Sequence, residues 1–262
     1  MRYLRLYLYF LQFSFSKALQ FRLEFTFRIF MDLAYHLLNL YFFKTIFQYT
    51  NFIEGWNEDQ VILFVCGFIL NDAIYMTFFS TNCWWLPIHI NKGELDYYLT
   101  KPIRPLFFLS LKDFAANSFV NLLVAIGLFV WALIPLWGSF TLLKFSVYCL
   151  LLLNGAVLWY LFHLLFYLPV FWTQSPRGFE SLLWGFDNIV KYPHMIQKGF
   201  LRIFFTYILP LNLMISFPTS YLLSDEGGRY FLVTSLGLSL LIWSIVMKLW
   251  SMGLRRYSSA SS

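Results

Sequence analysis

Six stretches of this chain are each apolar over about the 20 residues that a helix needs to cross a bilayer core. Most of the charge lies between them or at their ends. They fall at 29–49, 60–82, 110–134, 142–168, 200–217 and 230–250. The fourth is the cleanest, with Lys144 its one charged residue. The first is interrupted by Asp32, His36, Asn39 and Lys44, and the fifth is short and holds Pro210, which removes a backbone donor and kinks a helix. Only 12% of the 262 residues are charged and mean hydropathy is +0.64, whereas a soluble domain carries roughly 25% charge. Lipid is therefore the solvent for most of this surface, and the expected fold is an all-α polytopic membrane protein with six transmembrane helices.

Residues 2–24 read as an amphipathic helix lying on the membrane surface. Arg2, Arg5, Gln12, Ser16, Lys17, Gln20 and Glu24 share a polar arc at about 100° per residue, while Tyr, Leu and Phe fill much of the rest. Ser14 and Arg22 fall off the arc. No small-residue cleavage pattern follows Arg2 and Arg5, so this segment is expected to stay on the mature protein. Basic residues then set orientation. With the N-terminus inside, sixteen of the 19 Lys and Arg collect on the cytoplasmic side, and only Lys44, Lys144 and Arg229 on the other. Both termini are thus expected in the cytoplasm. The net charge of +6 is explained by this bias, with no basic stripe interleaved by aromatics and hence no nucleic-acid partner.

The connections differ in kind. The outer ones are short: 50–59, 135–141, and 218–229 with Ser224-Asp225-Glu226-Gly227-Gly228. The inner segment 173–199 opens on Ser175-Pro176, a helix cap and first turn. In it Phe179, Leu182, Leu183, Phe186 and Val190 share one face, so a cytoplasmic interfacial helix is expected. The Ser/Ala tail 258–262 is a polar end.

Enzyme motifs are absent. No Gly-Lys dipeptide occurs, which excludes a P-loop. His36, His89, His163 and His194 are far apart, with no HExxH, Cys/His cluster or GxSxG elbow. Cys66, Cys83 and Cys149 have no metal-ligand spacing and read as small buried hydrophobes. No metal or cofactor is expected on this chain.

Polar groups inside the spans require an account, because an ionisable residue in lipid faces protein or water. Asn71 and Asp72 lie mid-way along the second span. Asp32, His36 and Asn39 share an arc of about 60° on the first, and Asn117 and Asn121 share a face of the third. They either line a pathway or supply interhelical hydrogen bonds that hold the bundle together.

The inner loop 83–106 carries the most information. Gly93 marks a turn, and Glu94-Leu95-Asp96-Tyr97-Tyr98-Leu99 spans about one and a half helical turns. Lys101-Pro102-Ile103-Arg104-Pro105 ends it. A short, stiff helix would there present acids and tyrosines to the cytoplasm, suited to docking on a soluble partner; the alternative is an ordinary interfacial loop with a solvated charge pair.

The block Gly93 to Pro105 resembles the signature after the second span in the type-2 ATP-binding-cassette (ABC) exporter permeases. Gly55-Trp56, Leu209-Pro210 with Pro218, and the closing run from Arg255 to Ser261 extend the resemblance along nearly the whole chain. It implies a six-span permease whose inner loop is a coupling helix seated in a separate ATPase subunit. ATP and Mg would be held by that partner, and two permeases, identical or related, would pair in the plasma membrane, the inner membrane of a bacterium. Gly93, Glu94, Leu95, Asp96, Tyr97, Tyr98, Leu99, Lys101, Pro102 and Arg104 would form the coupling surface. The polar first span and the 32 phenylalanines depart from the family pattern and leave the substrate path open. Two other classes compete: a membrane-embedded lipid-modifying enzyme, for which His89, Asp96 and Arg104 are the loose candidates, and a non-catalytic scaffold.

Overall fold

The computed structural model describes residues 2–20, 22–53, 55–175, 177–224 and 228–257. Pro176, Asp225 to Gly227 and the tail from Ser258 lie outside them, as do the side chains of Arg2, Lys17 and Glu24 from the expected polar arc. Among the described residues the regular structure is helical, and the single bridge between Ile53 and Trp56 is the only extended pairing.

Helix α1 (Arg2–Gln20) is separate from α2 (Arg22–Phe47), which begins seven residues before the expected first span. The next helix starts with α3 (Glu58–Tyr75), passes through a π-helical turn at Met76–Ser80 and continues as α4 (Thr81–Asn91). Asn57 and Gln60 cap it reciprocally, and Glu58 and Asp59 sit where the helix dipole favours acids. This 34-residue unit is about 51 Å long at 1.5 Å per residue. It outruns a hydrocarbon core of about 30 Å. The expected span at 60–82 therefore extends to Asn91, and only Lys92 onwards is the turn that the sequence placed from Cys83. Pro87 is accommodated within α4.

A short helix, α5 (Leu95–Leu99), and α6 (Pro105–Leu111) follow. The expected third span, 110–134, is interrupted: α6 stops at Leu111, and α7 (Ala116–Leu133) starts afresh and runs into a 3-10 segment at Ile134–Ser139. The π turn explains how this gap is tolerated. It leaves the Thr77 carbonyl to accept the Ala115 N–H at 3.0 Å. Asn82 meanwhile bonds both the N–H and the carbonyl of Asp113, at 3.0 and 2.7 Å. Irregular backbone at this depth is stable only with such partners. Helix α1 packs over the gap through Phe10 on Phe108, Phe15 on Phe114, and Ser14, whose hydroxyl accepts the Phe114 N–H.

Helix α8 (Leu142–Tyr167), followed by the single turn α9 (Val170–Thr173), matches the fourth span closely. After it the sequence reading and the structure diverge. Helix α10 (Arg177–Val190) runs antiparallel along α8 rather than across its end. Phe186 meets Phe162 and Phe166, Asp187 accepts the Trp159 indole N–H, and Tyr192 just beyond reaches Phe43 near the far end of α2. The segment 173–199 is thus a bundle element over its helical part, and its apolar face, with Leu183 and Val190 buried, is covered by protein.

The fifth expected span, 200–217, is not one helix. It consists of α11 (Phe200–Ile203), a π segment at Phe204–Ile208, a break at Leu209-Pro210, a 3-10 turn at Leu211–Leu213 and then α12 (Ser216–Leu223). Pro210 breaks the chain here instead of kinking it. The break is buried against the middle of α8, where the Met214 carbonyl accepts a hydrogen bond from Asn71. His194 anchors the start of α12: its N–H donates to the Ser216 hydroxyl at 2.8 Å, and its ring bonds the same oxygen. Finally α13 (Gly228–Arg256) runs parallel to α8, tied to it by Asn154, which donates to Ser235 and Ser239.

Among the described residues, four helical units are long and apolar enough to cross a membrane: Glu58–Asn91, Ala116–Ser139, Leu142–Thr173 and Tyr230–Arg256. Over an 18-residue apolar stretch of each, 72% and 61% of the first and third are buried within the protein, against 33% and 22% of the second and fourth. The α3–α4 and α8–α9 units are therefore the centre of the bundle, and α7 and α13 its periphery. Helix α2 is long enough to cross, but Asp32, His36, Asn39 and Lys44 dilute its apolarity. It is arranged polar side inward, with His36 buried while Leu37, Leu38 and Tyr41 face out.

Candidate functional site

Two arrangements gather nearly all the candidate residues. The first is the α5 platform. Gly93 takes φ +74°, a conformation that disfavours any side chain, and so turns the chain sharply off the end of α4. Glu94 folds back onto α4, its Oε2 lying 2.5 Å from His89 Nδ1. That hydrogen bond holds the Glu94 carboxyl below its usual value, helped by the nearby charges of Lys92 and Lys112. Leu95 is wholly buried and pins α5 to the bundle. Tyr98 packs edge-on to His89 and against Phe108.

The opposite side of α5 is free. Tyr97 and Leu99 are exposed, and the Lys101 ammonium lies 4.0 Å from the Tyr97 ring centre. Pro102 and Arg104 are exposed as well, and Arg104 sits just ahead of α6, which starts on Pro105. Asp96 is half-buried beside Tyr257 at the end of α13; burial first, then that carboxylate, pushes the Tyr257 phenol up. Phe171 of α9 touches the same tyrosine. One short helix thus rests on the ends of α4, α6 and α13 together. The enzyme candidates part company here: His89 is engaged by Glu94, Asp96 lies beside Tyr257 at the end of α13, and Arg104 is exposed.

The second arrangement is a partly open cavity of about 460 Å³ lined mainly by α2, α3, α7, α8 and α10. Asp32, His36, Asp72 and Asn121 all line it, so residues from three separate predicted spans meet in one place. The other polar candidates do not join them. Asn71 is fully buried and donates to the carbonyls of Leu152 and Met214 at 2.9 and 3.3 Å, the interhelical tie of the structural reading. Asn39 bonds the Tyr35 carbonyl of its own helix. Asn117 lines a different cavity of about 490 Å³ beside His89, Lys112 and Asp113.

Asp187 and Lys191, which the sequence does not mark as site residues, complete the first cavity together with His163. Asp187 accepts from Trp159 at 3.1 Å and lies 3.4 Å from His163 Nε2. Lys191 bonds Asn188 and lies over the Tyr35 ring. The available signal was the i, i+4 spacing of Asp187 and Lys191 on a helix assigned to the membrane surface. Among the described residues no group of His, Cys, Asp and Glu could hold a metal ion.

The family described as ABC-2 family transporter protein matches residues 33–261, and the chain belongs to it. It is therefore the permease subunit of an ABC transporter, a class that works with an ABC ATPase. No curated protein and no solved structure matches the chain.

Proposed function

We propose that this chain is half of the membrane channel of an ATP-driven exporter, moved by a separate ATPase through α5. The observation that supports this best is the two-sidedness of α5. Leu95, Tyr98 and the His89–Glu94 contact fasten one side to the bundle, while Tyr97, Leu99, Pro102 and Arg104 remain exposed on the other. A helix held by three bundle helices transmits a push to all of them, and α13 is reached through Tyr257. ATP and Mg belong to the partner chain.

Six passes are retained in this reading. The fifth is discontinuous: α10 carries the chain from α9 towards the middle of α8, and α12 carries it on to the start of α13. With α5 in the cytoplasm, both termini lie there too, in keeping with the basic residues Lys92, Lys101, Arg104, Lys112, Arg255 and Arg256 at that end. The membrane is the plasma membrane, the inner one in a bacterium. The outward apolar faces of α2 and α13, including Met31, Leu38, Val233 and Leu240, are left for lipid and for a second permease, identical or related. Purification from its own membrane tests the assignment. An ABC ATPase should co-elute and hydrolyse ATP, whereas activity on lipid from the chain alone would favour the enzyme reading instead.

A further inference from the structure

The cavity between α2, α3, α7, α8 and α10 has a chemical character of its own. Its walls are aromatic: Trp159 stands between Phe68 and Tyr75, the latter stacked nearly parallel at 5.8 Å. Its charges are mostly acidic, with Asp32, Asp72 and Asp187 against Arg28 and Lys191. Two of those acids are already accompanied. Asp187 has Trp159 and His163, and Arg28 attracts Asp32. The Asp72 carboxyl has no hydrogen bond or contact ion pair among the described residues; Lys191 attracts it from a distance, against the negative charges of Asp187 and Asp32.

Unpartnered groups face the same space. His36 is 2% exposed with neither ring nitrogen bonded, and Asn121 is 5% exposed with its Oδ1 unbonded. Buried polar atoms without partners cost stability, so a space lined by several of them is built to hold something polar. A bare metal ion is a poor fit, because no metal-binding cluster exists among the described residues and the space is about 460 Å³. Aromatic faces and carboxylates together attract an organic ammonium, since the negative ring face and the acid act on the same charge. The protein already shows this contact: the Lys191 ammonium lies 5.3 Å from the Tyr35 ring centre at the cavity edge.

We propose that this cavity binds an organic cation, a quaternary or protonated amine whose charge sits by Asp72 and whose body lies among the less buried rings of the lining, Tyr35, Trp84 and Trp184. That such a cation is cargo rests on the transporter reading; that it binds does not. His36 and Asn121 would then satisfy polar groups on the ligand or its bound water.

The test uses the full chain in maltoside micelles without any ATPase. Isothermal titration with phenyltrimethylammonium should give saturable binding. The neutral isostere tert-butylbenzene should compete at least about tenfold more weakly, and Asp72→Asn, which keeps the side-chain volume, should weaken the cation about tenfold or more. Elution volume in size exclusion verifies that the variant is folded. Absence of saturable binding, equal competition by the neutral isostere, or undiminished affinity in a folded Asp72→Asn protein would each overturn the proposal. The isostere comparison needs only the wild type, so it decides even if the variant does not fold. Failure to recover an ATPase with the chain would remove the transporter reading and leave this site standing.

Discussion

His89 and Glu94 close on each other across the Gly93 turn, Nδ1 to Oε2 at 2.5 Å, and so bind the last turn of α4 to the first of α5. This contact sets the angle at which α5 leaves the bundle. The carboxylate is at the surface, so its worth lies in geometry more than in energy.

The pH dependence of that turn follows from the lowered Glu94 value. A carboxyl depressed in the folded state contributes stability that is present above its unfolded value and lost as pH falls through the folded one. The turn should therefore hold at neutral pH and through pH 5, and loosen only below the ordinary carboxylate range near 4.5. Amide exchange across 92–99, corrected for intrinsic rates, checks this. Glu94→Gln should remove the acid-dependent step.

The two sides of α5 predict two different mutant phenotypes. Leu95→Ala empties a wholly buried site and should cost about 2–5 kcal/mol, visible as a lower thermal midpoint in detergent. Tyr97→Ala removes an exposed ring and should leave that midpoint nearly unchanged while weakening retention of the ATPase. Thermal melts and pull-downs on the same preparations separate them.

Gly155 is where α8 and the α12 break touch most closely. A Cβ there would lie 2.0 Å from the Met214 carbonyl oxygen and 2.9 Å from Asn71 Nδ2. Backbone cannot step aside cheaply, so Gly155→Ala should destabilise by about 1–3 kcal/mol. Gly127 and Gly237 lie inside helices and face open space, so alanine at either should stabilise, by up to about 1 kcal/mol.

Asn71 bridges α3 to both α8 and the break. Asn71→Leu preserves bulk and removes both hydrogen bonds, and should cost about 1–2 kcal/mol by the same melt. If Asn71 served the cavity instead, cation binding would fall as well; the geometry predicts that it does not.

The sequence was most readable where apolar length alone decides the outcome. The helix over Leu142–Tyr167 and the α5 turn between Gly93 and Pro105 lie where spacing and proline placed them. Reading failed where a partner elsewhere in the chain satisfies backbone that local rules treat as continuous or broken. The gap at 112–115 survives because Asn82 and the Thr77 carbonyl bond it, and neither is near it in sequence. Helix α10 looked interfacial because its amphipathic pattern is the same whether lipid headgroups or α8 cover the apolar side. The polar face it turns to Asp72 and Trp159 only acquires meaning once the bundle is assembled. Asp32, His36, Asp72 and Asn121 were each visible as anomalies within apolar runs, but their convergence was not, because periodicity fixes a face and not which neighbour it meets.

The most direct measurement places a photo-crosslinker at position 97, as Tyr97→p-benzoylphenylalanine, and irradiates intact membranes. A second protein carries the probe at Trp137, which is exposed at the other end of the bundle. The α5 account predicts a covalent adduct with an ABC ATPase from position 97 and none from position 137. An adduct from 137 instead, or none from 97 in membranes where the ATPase co-purifies with the chain, would contradict it.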